Sequence, residues 1–200
     1  KKSLGQNFLL DKNLCKKIIC SLTIENKIIV EIGPGTGQLT DEIIKYKPKK
    51  LILIEKDDKL FKILKDKYSF LKFIKLINSD VIKVELNFIE NFSIISNLPY
   101  NIATKFIFHI LSKYNNINEM IFLIQKEVSI KFDYKLSIKK NKYCLFLKTI
   151  SKYEILFNIS KKVFYPKPKI TSSLIKITPK NIKIDKCELW DFSNKLFLNK

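Results

Sequence analysis

The stretch Lys27–Tyr46, KIIVEIGPGTGQLTDEIIKY, decides the fold. It opens with KIIVEIG, a short apolar run broken only by Glu31. A run that is apolar on both faces reads as a strand buried inside a sheet. QLTDEIIKY then spaces its apolar residues as a helix does. Between strand and helix lie Gly33, Gly35 and Gly37, three of the four glycines in the whole chain. In so glycine-poor a sequence, this clustering predicts positive backbone φ, or a ligand pressed against the backbone. A strand–loop–helix corner of this kind is where open parallel sheets bind ligands.

The pattern repeats outward from that corner. LILIE (51–55), FIKLIN (73–78), FSIIS (92–96) and MIFLI (120–124) read as further strands. Helices are predicted between them: through roughly 12–22 with Asp11 as N-cap, around Leu60–Tyr68, over Thr104–Lys113, and from Lys126. Alternating strands and helices indicate an α/β fold with a mostly parallel sheet. Beyond Lys126 the pattern changes. Lys135–Lys142 reads as a mobile basic loop, and Leu145–Ile150 as helical. YEILFNI (153–159) and SSLIKIT (172–178) read as an antiparallel pair at the sheet edge. Asp185 and Glu188 suggest a capping box opening a last helix. The expected domains are 1–178 and 179–200, the second a linker and the beginning of a truncated helical C-terminal domain. The chain opens on Lys1 rather than Met, which reads as a segment of something longer.

Glu55 ends the second of these strands, about 20 residues past the first glycine, a spacing suited to hydrogen bonds from ribose hydroxyls. Asp80 follows the third strand, where it can accept from an adenine amine. An adenosine-containing ligand fits this set. The dinucleotide fingerprint GxGxxG requires glycine where Gln38 stands. GxGxG with Glu31 two residues upstream is the usual methyltransferase spacing, so S-adenosylmethionine is favoured over NAD.

SNLPYN (96–101) closes the fourth of these strands, beside the first in such a sheet. Adenine's exocyclic nitrogen is a poor nucleophile because its lone pair is delocalised into the ring. Two acceptors aimed at its two protons favour the localised form. The Asn97 side chain supplies one and the Leu98 carbonyl the other, its direction fixed by Pro99. Tyr100 offers a face on which a flipped base stacks, worth roughly 1–3 kcal/mol.

Composition bounds the partners. Formal net charge is +19, and the sequence has no arginine, so all 38 basic residues are lysines. Such a balance points to a polyanion, contacted by ammonium point charges rather than by bidentate guanidinium groups. No apolar run approaches the ~20 residues of a membrane span, and no secretory signal opens the chain. Cys15, Cys20, Cys144 and Cys187 show no metal-ligand spacing, and the lone His109 lies in an apolar helical pattern. No metal is expected. The thiols read as free in a reducing cytoplasm, and His109 as a packing residue.

NLPY resembles the N/D-P-P-Y/F motif of amino methyltransferases. KKSLGQNFLLD (1–11), EIGPGTGQLT (31–40), SNLPYNIAT (96–104), IQKEV (124–128) and VFYPKPKITSSLIKIT (163–178) follow in that order. Together they resemble the small-subunit rRNA adenine dimethyltransferases linked to kasugamycin sensitivity, over essentially the whole chain to about residue 178. The resemblance implies a Rossmann-like class I methyltransferase fold and a cytoplasmic, monomeric enzyme. It implies S-adenosylmethionine as donor, and the small ribosomal subunit with its rRNA as partner. Two adjacent adenosines near the 3′ end would each receive two methyls.

It also implies that Asn7 and Leu9 close over the cofactor. Gly33 lies under its aminoacyl end and Gly35 also binds the cofactor, while Glu55 binds the ribose and Asp80 the adenine. Asn97 is shared by cofactor and target amine. Tyr100 and Phe164 sandwich the target adenine, Phe164 from a rigid basic loop itself suited to stacking a base. The sequence departs from many relatives after QKEV, where SIKF and later KYCLFL stand, which leaves substrate contacts there open. Rival readings are the large-subunit rRNA adenine methyltransferase of macrolide resistance, suggested by YPKPKITSSLI, a non-catalytic RNA-binding assembly factor, and an NAD oxidoreductase.

Overall fold

The computed structural model describes residues 8–87, 90–97 and 100–197, omitting the side chains of residues 100 and 101. Its strands are β1 (Phe8–Leu9), β2 (Ile28–Ile32), β3 (Lys50–Glu55), β4 (Ile74–Asn78), β5 (Phe92–Ser96), β6 (Ile117–Gln125), β7 (Ser151–Ile159), β8 (Phe164–Tyr165) and β9 (Ser172–Pro179). Its helices are α1 (Lys12–Ile19), α2 (Gln38–Lys45), α3 (Asp58–Tyr68), α4 (Tyr100–Lys113), α5 (Lys126–Phe132), α6 (Lys142–Ile150) and α7 (Lys186–Phe197).

Seven strands form one sheet in the order β4-β3-β2-β5-β6-β9-β7. β2 to β6 run parallel, while β9 is antiparallel to both β6 and β7. The expected parallel sheet with an antiparallel edge is present. The order reverses at β2, whose neighbours are β3 and β5. This is the switch point at which such sheets open a crevice at their C-terminal ends.

The continuous apolar runs are explained by helices on both faces. Ile29, Leu51, Leu53 and Ile95 pack with residues of α1, α2 and α3 on one face. Val30, Ile32, Ile52 and Ile54 pack with residues of α4, α5 and α6 on the other. Asp11 caps α1 through its side chain, which accepts from the Leu14 N–H at 3.0 Å. That helix stops at Ile19, short of the expected 22, because the following bonds tighten to Ser21 N–H to Ile18 O and Leu22 N–H to Ile19 O. α4 begins at Tyr100 rather than Thr104. Its first turn lacks an apolar-periodic signal because Ile102, 40% exposed, faces a cavity instead of the core.

Two features escaped the sequence. β1 and β8 form a separate antiparallel pair, with Phe8 opposite Tyr165 and Leu9 opposite Phe164. The 135–142 loop, expected to be mobile, is tied down. Asp133 accepts from the Lys135 N–H at 2.7 Å, and the Asn141 amide donates to the Lys131 carbonyl at 3.0 Å. β9 ends at Pro179, and α7 lays Trp190 against Phe108 and Phe146. No helix among the described residues is long and apolar enough to cross a membrane.

Phe122 is fully buried at the centre of β6, edge-on to Phe106 with ring centroids 6.0 Å apart. Phe122→Ala is expected to lower unfolding free energy by about 3–5 kcal/mol, read as a lower urea midpoint at unchanged m-value.

Candidate active site

The C-terminal ends of β2, β3, β4 and β5 surround a cavity of about 440 Å³. Its floor is the glycine loop. Gly33, Gly35 and Gly37 all hold positive φ, at 64°, 63° and 90°. Each therefore adopts a backbone that L-residues with side chains disfavour. Gly33 lines the cavity, and a Cβ there would meet no atom within 4 Å. Its missing side chain leaves space on the cavity side. At Gly35 a Cβ would come within 3.1 Å of the Phe8 ring, so β1 covers the loop closely. At Gly37 a Cβ would collide with the Tyr68 hydroxyl. That hydroxyl donates within range of the Gly37 carbonyl at 3.1 Å and of Asp41 Oδ1 at 2.7 Å, bracing the loop from behind.

Four acidic residues line the cavity, Asp57 beside three that come from or follow successive strands: Glu31, Glu55 and Asp80. Glu55 closes β3 and is 4% exposed. Its Oε2 accepts from the Gly35 N–H at 3.1 Å, and its Oε1 from the Lys56 and Asp57 N–H groups at 2.9 Å each. Burial raises its pKa, opposed by those backbone donors. Asp80 follows β4 and caps a short 3-10 turn, Val81–Lys83, through Ile82 N–H at 3.2 Å. Lys56 Nζ lies 2.8 Å from its Oδ2 and holds its pKa below the ordinary value. Glu31 is buried inside β2, accepts from the Thr40 hydroxyl at 2.6 Å, and is pushed by burial to about 8.

Asn97 comes directly after β5 and lines the same cavity. Ser96 Oγ donates to the Ile32 carbonyl at 2.6 Å, fastening the end of β5 to the end of β2. Asn97 is thereby held beside Gly33. The structure thus brings together Leu9, Gly33, Gly35, Glu55, Asp80 and Asn97 as residues lining one cavity. Asn7, Leu98 and Pro99 lie outside the described residues, as does the Tyr100 side chain, although its backbone opens α4.

Phe164 differs from expectation. It is 4% exposed, packs in the core with Leu9, Ile159 and Leu174, and is not among the residues lining the cavity. The cause is strand alternation. Pairing with β1 turns Phe164 inward and leaves the next residue, Tyr165, 68% exposed. The sequence reading also missed Phe8, Lys56, Asp57, Lys83, Ile102 and Lys105 on the cavity wall. Position immediately after a strand end was the signal for Lys56 and Asp57. No periodic signal marks the others.

Donor chemistry and shape fit an adenosyl ligand with a cationic aminoacyl end. The glycine floor accepts close approach, Glu55 and Asp80 offer carboxylates, and Val81 and Ile82 supply apolar surface. A mostly parallel sheet of this order, with this corner, defines a class I methyltransferase. A dimethyladenosine transferase from Plasmodium falciparum has the same fold, with a TM-score of 0.84 at 24% identity, over 96% of this chain and 71% of that one. The 23S rRNA methyltransferase ErmE superposes with a TM-score of 0.81 at 22% identity, over 94% and 76%. The family model for ribosomal RNA adenine dimethylase matches residues 1–200, and the chain belongs to that family. Curated relatives include the ribosomal RNA small subunit methyltransferase A of Sulfurihydrogenibium sp., 38% identical over 100% of this chain and 81% of its own length. That of Pelagibacter ubique is 42% identical, over 90% and 70%.

Glu31 carries a pH prediction for the ligand-free protein. Its folded pKa, about 8, lies above the ordinary 4.5. The folded state therefore keeps a proton that the unfolded chain releases, so this contribution to stability is complete below about 4.5 and is lost as pH rises to about 8. Glu31→Gln is expected to flatten the pH dependence of the urea midpoint across that window. An unchanged slope would show that Glu31 does not hold the proton.

Proposed function

We propose that the protein transfers methyl groups from S-adenosylmethionine to the exocyclic amines of two adjacent adenosines near the 3′ end of small-subunit rRNA. The observation that carries this reading is Asn97 at the end of β5, in one cavity with the glycine loop and Glu55. The small-subunit assignment is supported by the names of the curated relatives at 38% and 42% identity. The large-subunit alternative, suggested by YPKPKITSSLI, gains from the comparisons only a structural likeness at 22% identity, which concerns the fold alone.

When bound, the donor supplies an electrophilic methyl on a sulfonium. The chain supplies position and electrostatics. Gly33 and Gly35 let the backbone approach the aminoacyl end, near the carboxyl of Glu31. Glu55 accepts from the ribose hydroxyls and Asp80 from the adenine amine. Leu9, carried by β1 with Phe8, covers the cavity from the N-terminal side. Asn7 contributes to the same closure.

Asn97 and the Leu98 carbonyl accept the two protons of the target amine, which localises its lone pair toward the methyl. Tyr100 stacks the flipped base. A matching role for Phe164 requires its ring to turn out of the packing beside Leu9. No general base is needed before attack, because the methylated nitrogen sheds its proton readily. The reaction takes place in the cytoplasm, on a monomeric enzyme, with a ribosomal assembly intermediate as substrate. Residues from about 179 onward belong to the start of a helical C-terminal domain.

The test is methylation of undermethylated small subunits with labelled donor, followed by mapping of the modified nucleotides. Label on the paired adenosines near the 3′ end is expected, and label confined to large-subunit RNA would overturn the assignment. Asn97→Ala is expected to lower methyl transfer by at least about a hundredfold while RNA binding persists. Unchanged turnover would remove Asn97 from the chemistry.

A further inference from the structure

A second groove, of about 470 Å³, lies on the outer surface of the helical layer between α4, α6 and α7. Phe108 and His109 line it from α4, Tyr143 from α6 and Trp190 from α7. Lys105 lines this groove and the methyl-transfer cavity alike, so the two are neighbours along α4. We propose that this groove is a second nucleotide-binding site, taking an unpaired nucleotide of the substrate RNA close to the target adenosine. The proposal rests on the RNA methyl-transfer reading and extends it.

Three observations support this occupant. First, the groove is aromatic. Tyr143 and Trp190 stand with ring centroids 5.9 Å apart at 46°, both only partly buried. Partly exposed rings of this kind are stacking surfaces that accept any base. Second, its charge suits a phosphate. Lys142 Nζ lies 5.4 Å from the centroids of both rings, and Lys131 Nζ lies 5.3 Å from that of Tyr143. Among the described residues lining the groove there is no carboxylate. Third, the position is right. Residues 104–109 lie about 6–14 Å along the axis of α4 from Tyr100, at ~1.5 Å per residue. A strand whose base has been flipped onto Tyr100 reaches that distance with its neighbouring nucleotides. His109, read from the sequence as packing, thus sits at the groove wall, where its ring nitrogens can meet a base edge or a phosphate.

Trp190 is the sole tryptophan in the sequence, so its emission reports on this groove directly. The experiment titrates a short single-stranded oligoribonucleotide, labelled for anisotropy, into the full chain saturated with S-adenosylhomocysteine. Saturable quenching of Trp190 is expected, with the same midpoint as the anisotropy change. A His109→Ala/Lys142→Ala variant with an unchanged melting curve is expected to raise that midpoint about fivefold or more. Failure of the oligonucleotide to bind would overturn the proposal. So would binding that leaves Trp190 emission unchanged, as when another part of a longer chain fills the groove, or a midpoint indifferent to the variant. Methyl transfer to small subunits is a separate readout, so the site can fail while the activity stands.

Discussion

A carboxylate that is 4% exposed must be hydrogen-bonded to remain in a folded protein, and Glu55 meets that demand with backbone N–H groups from two loops. One comes from Gly35, after β2; the others come from Lys56 and Asp57, after β3. Each bond to a charged acceptor contributes about 1.5–3 kcal/mol. The geometry allows little variation. Glu55 reaches Gly35 only because β2 and β3 are adjacent and parallel, with Ile32 level with Ile54. The glycine loop presents an N–H to it because Gly33 and Gly35 take positive φ. Sheet order, loop composition and the acid at the strand end are thus one constraint.

The same carboxylate divides the site electrostatically. Glu31, Glu55 and Asp80 face the inner cavity, and the exposed Lys56, Lys83 and Lys105 lie at its walls. An acidic interior suits a donor with a cationic end and hydroxyl-bearing ribose. A lysine-rich exterior suits RNA, and lysine alone must serve because the chain has no arginine. Ammonium groups position a phosphate without fixing its angle, so orientation falls to the aromatic surfaces. The Tyr143–Trp190 groove along α4 offers such surfaces to the proposed path of the strand.

The parts of the fold that were legible in the sequence share a physical origin. A strand covered on both faces must be mostly apolar, so Ile28–Ile32, broken only by Glu31, Leu51–Ile54, and Phe92–Ile95, broken only by Ser93, announced themselves. Three glycines within five positions cannot be incidental when only one more exists. What stayed hidden depends on contacts between distant segments. β1 and β8 are two residues each, too short for any periodicity, yet their pairing puts Phe8 over the glycine loop and turns Phe164 inward. Lys56 and Asp80 meet across 24 positions. The aromatic groove is assembled from α4, α6 and α7, none of which signals it alone.

Calorimetric titration of S-adenosylhomocysteine and, separately, NAD tests the account most directly, in the native chain and in Glu55→Gln. S-adenosylhomocysteine should bind at a single site, Glu55→Gln should weaken it about tenfold or more, within the ~1.5–3 kcal/mol of a charge-assisted hydrogen bond, and NAD should give no heat of binding. Preference for NAD, or an affinity for S-adenosylhomocysteine that ignores the loss of the Glu55 carboxylate, would contradict it.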